Sequence, residues 1–364
     1  MQAHEELNGG ETVSLNWHVI PGLIPLSLKI FVLRILTLGI YYFWGKTEVR
    51  RRIWSATHLQ HQPLEYTGTG KELFLGFLLV FLLFIIPAYG VVIAVQLYFG
   101  QDSVFSVTIN IAFFTIIFFL IGVARYRARR YRLTRTRWRG IRAGMTGSPW
   151  TYGLYSFALS LLIPVTLGFI LPLRDVILQR RLVSETRFGT MPFRFSASAR
   201  ELYGPFVVMW FGTILIYGMT LFILWLLYGS QLIELVQANI PPPPAMLFAI
   251  LFSLFAAFVL YLLMSAWYNS RKFNLFARST NIDAARLNLE TTGLGLAGLQ
   301  ISNLLIVLLT LGIATPIVQA RIARYFITRM SVVGAIDLDR IRQDYSATEK
   351  TGEGLAEAFD IDAF

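Results

Sequence analysis

Three Thr-Leu-Gly triplets, at residues 37–39, 166–168 and 310–312, interrupt long apolar stretches of the sequence. A break inside an apolar helix frees backbone groups at membrane depth, and such groups are tolerated where they line a wet or protein-covered path. The chemistry indicated is solute coordination and not covalent catalysis. The residues expected near such a constriction are Thr37, Gly39, Thr166, Gly168, Thr310 and Gly312.

A second repeated feature is cationic. An arginine follows each of the three threonines at the same offset, as Arg51, Arg180 and Arg324. Arg129 and Arg130 belong to the most basic run of the chain, residues 124–142. We expect these five arginines to contact anionic phospholipid head groups or a cytoplasmic partner.

The basic run 124–142 also contains tyrosine and tryptophan, a combination that suits nucleic acid. However, it begins directly after an apolar stretch, where anionic head groups attract basic residues by about 1 kcal/mol each. We therefore expect the lipid bilayer and anionic phospholipids as partners, and no nucleic acid.

Other motifs are weak. Residues 293–298 match GxGxxG, but an apolar stretch follows them, so helix packing by small residues explains them better than a nucleotide site. Residues 68–72 resemble the end of a phosphate loop, with Glu72 in place of its Ser or Thr, and a helix cap is the better interpretation. His58 and His61 either bind a metal or lie in a solvated loop, and we favour the loop. The sequence has no cysteine and no catalytic constellation, so it predicts no enzyme, cofactor or metal site.

Composition identifies the class of protein. The 364 residues are 55% hydrophobic and 15% charged, with a mean hydropathy of +0.58, which is typical of polytopic membrane proteins. Seven stretches are long enough to cross a bilayer, because about 20 apolar residues suffice. They are residues 22–44, 73–98, 104–124, 151–173, 205–229, 245–268 and 296–318.

The 32 Lys and Arg residues contradict seven simple crossings. Thirty of them fall in five blocks that separate the stretches, while the loops 99–103 and 230–244 contain none. The positive-inside rule places the five blocks in the cytoplasm. Two transmembrane hairpins satisfy this rule, but 151–173 and 296–318 have basic residues on both flanks. These two stretches either re-enter on the same side or cross against the rule, and we favour re-entry.

The first stretch contains Lys29 and Arg34, which are interpreted either as pore contacts or as side chains that reach the head groups. Charge does not decide its topology, but an internal repeat does. Residues 37–73 and 166–202 share ten identities in 37 ungapped positions, and the third copy keeps Thr310, Leu311, Gly312 and Arg324 at the same offsets. The first stretch is therefore also predicted to re-enter.

Short alternating stretches flank each copy and predict strands at 13–17, 63–67, 138–143, 192–196, 286–290 and 335–339, which could pair into a small cytoplasmic sheet. The predicted fold is an all-α polytopic membrane protein with four transmembrane helices in two hairpins, three re-entrant Thr-Leu-Gly segments and short cytoplasmic β-strands. Its predicted parts are an N-terminal segment 1–21, repeat units 22–72, 125–203 and 269–344, hairpins 73–124 and 204–268, and a disordered acidic tail 345–364.

The residues LTLGIYYFWGKTEVRRRIW and LEYTGTGKELFLGF, which carry the first repeat, resemble the YjgN-like family of bacterial inner-membrane proteins. In that family a Pro-Trp pair usually follows the TLGIY run; here Trp44 is present and Phe43 replaces the proline. The resemblance implies a multi-pass bacterial inner-membrane protein and no known reaction. Two functions stay open: a small-solute channel or transporter, which we favour, and a membrane scaffold that binds anionic lipid through a basic cytoplasmic surface.

Overall fold

A computed structural model of the chain describes residues 14–334 together with Ile336 and Ile341. In this part of the chain, four helices are long and apolar enough to cross a membrane, and they coincide with the two predicted hairpins. They span Gly70–Phe99, Val104–Arg135, Arg200–Gln237 and Pro244–Arg278. Each helix extends beyond the predicted apolar stretch into the basic sequence that flanks it. The prediction of a helical, polytopic membrane protein with four long apolar helices is confirmed.

Twenty-three elements follow one another along the described residues. In order they are β1 (Leu15–Trp17), α1 (Leu23–Leu36), α2 (Tyr42–Ala56), β2 (Thr57–Leu59), β3 (Gln62–Pro63), β4 (Glu65–Tyr66), α3 (Gly70–Val80), a π-helical turn (Phe81–Ile85), α4 (Ile86–Phe99), α5 (Val104–Arg135), β5 (Thr136–Trp138), β6 (Ile141–Met145), α6 (Pro149–Val165), α7 (Leu171–Ser184), β7 (Thr186–Phe188), β8 (Met191–Phe195), α8 (Arg200–Gln237), α9 (Pro244–Arg278), β9 (Thr280–Ile282), β10 (Ala285–Leu289), α10 (Gly293–Leu309), α11 (Thr315–Ile327) and β11 (Met330–Val333). The two helices α3 and α4 are continuous through the π-helical turn.

The strands lie between the helices and form a belt. Strands β4 to β11 make one eight-stranded sheet in which each strand neighbours the next one in sequence, and β1, β2 and β3 make a second sheet. Successive strands pair antiparallel from β1 to β3 and from β4 to β10. β11 also contacts β1, so the last strand among the described residues lies beside the first one. We call β1 to β11 the strand belt.

Each pair of helices leaves the strand belt and returns to it. The strands before and after α1 and α2 pair with each other, with Trp17 opposite Thr57. The same holds for α6 and α7, where Met145 lies opposite Thr186, and β10 and β11 enclose α10 and α11 in the same way. Paired strands also precede and follow the long helices. β4 and β5 flank α3 to α5 in the sequence and pair with each other, and β8 and β9 do the same for α8 and α9. Between residues 14 and 334 there are therefore five helical excursions from the strand belt.

Three of these excursions contain a Thr-Leu-Gly triplet. We call them interrupted segment 1 (23–56), interrupted segment 2 (149–184) and interrupted segment 3 (293–327), and each is two helices joined by the triplet. Their first helices have 14, 17 and 17 residues. At 1.5 Å per residue these helices are about 21 to 26 Å long, which is shorter than a hydrocarbon core of about 30 Å.

Five of the six predicted strands are present, with ends shifted by at most three residues. The predicted strand 138–143 corresponds to two strands, β5 and β6, because Arg139 and Gly140 form a turn with positive φ between them. Of the predicted strand 335–339 only Ile336 is described, and the predicted tail 345–364 lies outside the described residues. Strands β2, β7 and β9 were not predicted because three-residue runs carry almost no alternation.

The chain divides into two compact units. The first comprises residues up to 197 with 276–288 and 313 onward, and the second comprises 198–275 and 289–312. In the first unit, interrupted segment 1 is closed by a core in which Leu26, Val49 and Ile53 pack together, with Ala323 of α11 against them. This contact joins α11 to α1 and α2.

Small residues bring α5 and α6 together in the first unit. A Cβ atom on Gly122 would lie 2.9 Å from the Ser156 Cβ and 3.0 Å from the Gly153 Cα. One on Gly153 would lie 2.5 Å from Val123 Cγ2. Since neither position has room for a methyl group, the two helices pack at the closest distance that glycine permits.

The second unit contains α8, most of α9 and α10. The rings of Phe206 and Tyr268 are 5.8 Å apart, and the Asn274 amide donates a hydrogen bond to the Thr291 carbonyl at 2.8 Å while its Oδ1 accepts one from the Thr291 N–H at 3.0 Å. A Cβ atom on Gly293 would lie 3.0 Å from the Trp267 Cα. The first glycine of the GxGxxG match therefore permits helix packing.

Candidate functional site

The three triplets have the same backbone geometry. The leucines Leu38, Leu167 and Leu311 have φ of 51°, 48° and 49°, and the glycines that follow have φ of 93°, 87° and 83°. In each triplet the glycine N–H donates to the carbonyl five residues earlier, at 2.7, 2.8 and 2.9 Å. This is a left-handed helix end repeated three times.

Proline is not needed for this turn. Pro172 and Pro316 lie in the first turns of α7 and α11, where a missing N–H costs nothing. Phe43 occupies the corresponding position in α2 and is 7% exposed. The first triplet nevertheless turns as sharply as the other two, so the departure from the Pro-Trp pattern leaves the turn unchanged.

The threonine hydroxyls bond within the turns. Thr37, Thr166 and Thr310 each donate to the carbonyl four residues earlier, at 2.7, 2.8 and 2.6 Å. The hydroxyls of Thr37 and Thr166 also accept from the N–H four residues later, at 2.9 and 3.2 Å. In these two copies the hydroxyl therefore links the end of the first helix to the start of the second.

The leucines project from the tips of the turns. Leu38, Leu167 and Leu311 are 95%, 71% and 88% exposed. A left-handed conformation costs an L-residue with a Cβ atom roughly 1–2 kcal/mol, and exposure of leucine to water adds a further cost. Because all three copies keep leucine here, an apolar surface in contact with the tips would account for them.

The three repeated arginines are exposed on the second helix of each interrupted segment. Arg51 Nη2 donates to the Gly68 carbonyl at 2.9 Å, and Arg180 Nη2 donates to the Ala197 carbonyl at 3.0 Å. Both acceptors lie 17 residues further along the chain, just before a long helix. The repeat thus places Arg51 and Arg180 at equivalent points near the strand belt, with guanidinium N–H groups still open to solvent.

Arg129 and Arg130 are half-buried, although a run of basic residues usually indicates exposed side chains. Arg130 Nε donates to the Met145 carbonyl at 3.2 Å. Arg129 Nε is buried and has no hydrogen-bond partner among the described residues. α5 continues to Arg135 and packs against the base of α6, so this part of the run is helix and half-buried.

Several carboxylates near these features were not found from the sequence. Glu48 on α2 lies 3.1 Å from Lys29 Nζ on α1, so Lys29 forms an ion pair across interrupted segment 1. Arg34 lies over the Tyr42 ring at 5.4 Å. The partner of Lys29 was missed because Glu48 lies outside the apolar stretch, on the next helix.

Glu72 and Glu185 accept hydrogen bonds from buried tyrosines of α5. The Tyr131 hydroxyl donates to Glu72 at 2.5 Å, and the Tyr126 hydroxyl donates to Glu185 at 2.6 Å. Glu72 also pairs with Arg135 at 3.1 Å. The identity of Glu72 and Glu201 in the two aligned copies was a signal that could have drawn attention to Glu72.

The remaining motifs are structural where the structure describes them. Thr69 caps α3 by accepting from the Glu72 N–H at 3.3 Å, as the cap interpretation of residues 68–72 predicts. His58 has His18 as its neighbour, with the two Nδ1 atoms 2.8 Å apart, a pairing that strands β1 and β2 create and that the sequence did not reveal. Among the described residues no three His, Cys, Asp or Glu side chains cluster as metal ligands would.

Comparison with known proteins gives a family and a distant relative. A family model described as a bacterial protein of unknown function, DUF898, matches residues 24–358. The inner membrane protein YjgN of Salmonella typhimurium strain LT2 is 28% identical over 141 residues, which cover 39% of this chain and 33% of that protein. The match thus spans about a third of the relative's length. No solved structure matches the chain.

Proposed function

Since the chain belongs to the DUF898 family of bacterial proteins of unknown function, we propose from its structure that it is an inner-membrane scaffold that binds anionic phospholipids. One observation carries the proposal. Each interrupted segment presents an exposed leucine at its tip and an exposed arginine on its second helix, at the same spacing in all three copies.

That spacing fits one leaflet of a bilayer. Arg51 lies nine residues after Tyr42, the first residue of α2, and Arg180 and Arg324 lie equally far into α7 and α11. Nine residues of helix are about 14 Å, close to half of a hydrocarbon core of about 30 Å. With the leucine tips near the bilayer centre, the three arginines would lie at the level of the phosphates.

The proposal includes re-entry of the three interrupted segments. Strands that pair directly cannot lie on opposite sides of a bilayer, and β1 with β2 and β6 with β7 are such pairs. A first helix of about 21 to 26 Å that turns and comes back would enter and leave on the side of the strand belt. This topology also removes the conflict between seven crossings and the positive-inside rule.

Location follows from the same topology. Where the structure describes them, the five basic blocks lie on or beside the strand belt, and the two loops without Lys or Arg lie at the far ends of the four long helices. By the positive-inside rule the belt would face the cytoplasm. The name of the relative from Salmonella, an inner membrane protein, favours the inner membrane for this chain.

A small-solute channel or transporter stays a prediction, and the contacts of the threonines support it less well than they support a scaffold. Its predicted constriction relies on the threonine hydroxyls, and those of Thr37 and Thr166 already both donate and accept within their own turns. Unchanged liposome flux after replacement of Thr37, Thr166 and Thr310 by valine would remove that role from the threonines. We also propose that the protein is not an enzyme.

Native mass spectrometry of the detergent-purified protein with added phosphatidylglycerol or phosphatidylcholine tests the lipid proposal. We expect preferential retention of phosphatidylglycerol, and loss of that preference when Arg51, Arg180 and Arg324 are replaced together by glutamine. The matched control replaces Arg187, Arg194 and Arg286, three exposed arginines of the belt strands, and removes the same charge. Equal retention of both lipids by the unaltered protein would overturn the proposal.

A further inference from the structure

The first unit contains a cationic cluster where α5, α6 and α7 meet. Arg125 and Arg129 of α5 and Arg174 of α7 all lie within electrostatic reach of the Tyr152 hydroxyl. Tyr152 itself is 4% exposed. One carboxylate, that of Asp175, also lies within electrostatic reach of this hydroxyl. Arg174 forms an ion pair with Asp175 at 3.5 Å. The cluster therefore has more cations than carboxylates.

Arg129 is the unsatisfied member of this cluster. Its Nε is buried, and no partner for this atom exists in the part of the chain that the structure describes. Arg174 Nε, by contrast, donates to the Ser160 hydroxyl at 3.0 Å. A buried guanidinium N–H without a partner is costly, so a bound anion at Arg129 would supply the missing acceptor.

An apolar groove approaches the cluster along the same two helices. It has a volume of about 750 Å³ and is lined by α5 from Val107 to Ile121 and by Phe157 and Leu161 of α6. The α5 residues that line it recur every three or four positions, and the next positions of that stripe are Arg125 and Arg129. Along the helix axis, the last lining residue of α5, Ile121, is about 6 Å from Arg125 and about 12 Å from Arg129.

We propose that this groove and cluster form a binding site for one anionic phospholipid, with an acyl chain in the groove along α5 and α6 and the phosphate on Arg129 and Arg125. This proposal rests on the proposed lipid-binding function and adds a specific site to it. The site uses other residues than the three repeated arginines, and it belongs to α5 and α6. Arg129 is partly buried and its Nε is enclosed, whereas Arg51, Arg180 and Arg324 are exposed.

The experiment measures how much phosphatidylglycerol the full-length protein retains after extensive delipidation. We expect Arg129→Gln to weaken its retention about tenfold, the effect of one lost charge-assisted hydrogen bond. Arg129→Lys keeps the charge without the planar fork and should lose most of the same retention. Thr115→Trp fills the groove and should exclude the lipid while the arginines remain. Arg194→Gln, an exposed position on β8, is the control and should retain it.

The outcomes separate the two proposals. If the unaltered protein prefers phosphatidylglycerol but Arg129→Gln and Thr115→Trp retain the bound lipid as well as Arg194→Gln does, this site is wrong and the scaffold proposal stands. If the unaltered protein has no preference, both fail. Thermal stabilisation of lipid-free protein by inorganic phosphate that depends on Arg129 and not on the groove would overturn the lipid assignment in favour of a free anion.

Discussion

Met145 lies directly opposite Thr186 in the strand belt, although the whole of interrupted segment 2 runs between them. A chain that crossed a bilayer once between these residues could not make this pairing. The proposed re-entry of interrupted segment 2 rests on this pairing.

Cysteine accessibility tests this topology. Ser148→Cys and Ser184→Cys, exposed positions at the two ends of interrupted segment 2, should both react with a membrane-impermeant maleimide from the same side of inner-membrane vesicles. Gln101→Cys, in the loop between α4 and α5, should react from the opposite side. The cysteine-free chain provides the background. Opposite labelling of positions 148 and 184 would restore a true crossing.

Gly39→Ala should destabilise the first turn. Nothing lies within 4 Å of the added Cβ, so its effect comes from φ of 93° alone, and we expect a loss of about 1–2 kcal/mol. Thermal unfolding in detergent measures it. Gly90→Ala is the matched control, since it also adds a methyl group into open space but lies within helix α4, where alanine is favoured over glycine. A stability of Gly39→Ala equal to that of Gly90→Ala would contradict the strained turn.

Tyr131→Phe should lower stability by about 1–2 kcal/mol, because it removes the hydroxyl that donates to Glu72 while its ring, 1% exposed, stays in place. Tyr98→Phe is the control, as Tyr98 is 83% exposed. Chemical or thermal unfolding of the two variants side by side measures the difference. If the variants unfolded together, the Tyr131 hydrogen bond would contribute nothing to stability.

Gly122→Leu should separate α5 from α6. A Cβ atom alone would lie 3.0 Å from the Gly153 Cα, so a larger side chain forces the helices apart at a cost of about 1–3 kcal/mol or more. In Gly218→Leu, on α8, the new side chain begins in open space and should leave the melting temperature nearly unchanged. Equal melting temperatures for the two variants would show that the α5 and α6 contact is not tight at this point.

The sequence was sufficient to predict the four long helices and the positions of the three turns. Apolar length predicts the former, and the repeated Thr-Leu-Gly triplets predict the latter, because glycine favours the positive φ that Gly39 and its two counterparts adopt. The distribution of Lys and Arg separated the two hairpins from the three stretches that contain a triplet, and the re-entry of those three stretches stays a prediction.

Pairing between distant residues could not be predicted in the same way. The ion pair of Lys29 with Glu48 and the contact of His18 with His58 depend on how helices and strands fold back on each other. Likewise, a basic run predicts exposed arginines, but the extension of α5 against α6 buries the Nε of Arg129. Local composition contains no information about such an extension.

The order of strands in the belt has a consequence for biogenesis. Because β4 to β11 pair with their neighbours in sequence, each strand finds its partner already synthesised when it leaves the ribosome. The belt can therefore grow from the N-terminal end as each helical excursion is inserted, without waiting for distant parts of the chain. The contacts of α11 and β11 with α1, α2 and β1 form later, because they need elements from both ends of the described chain.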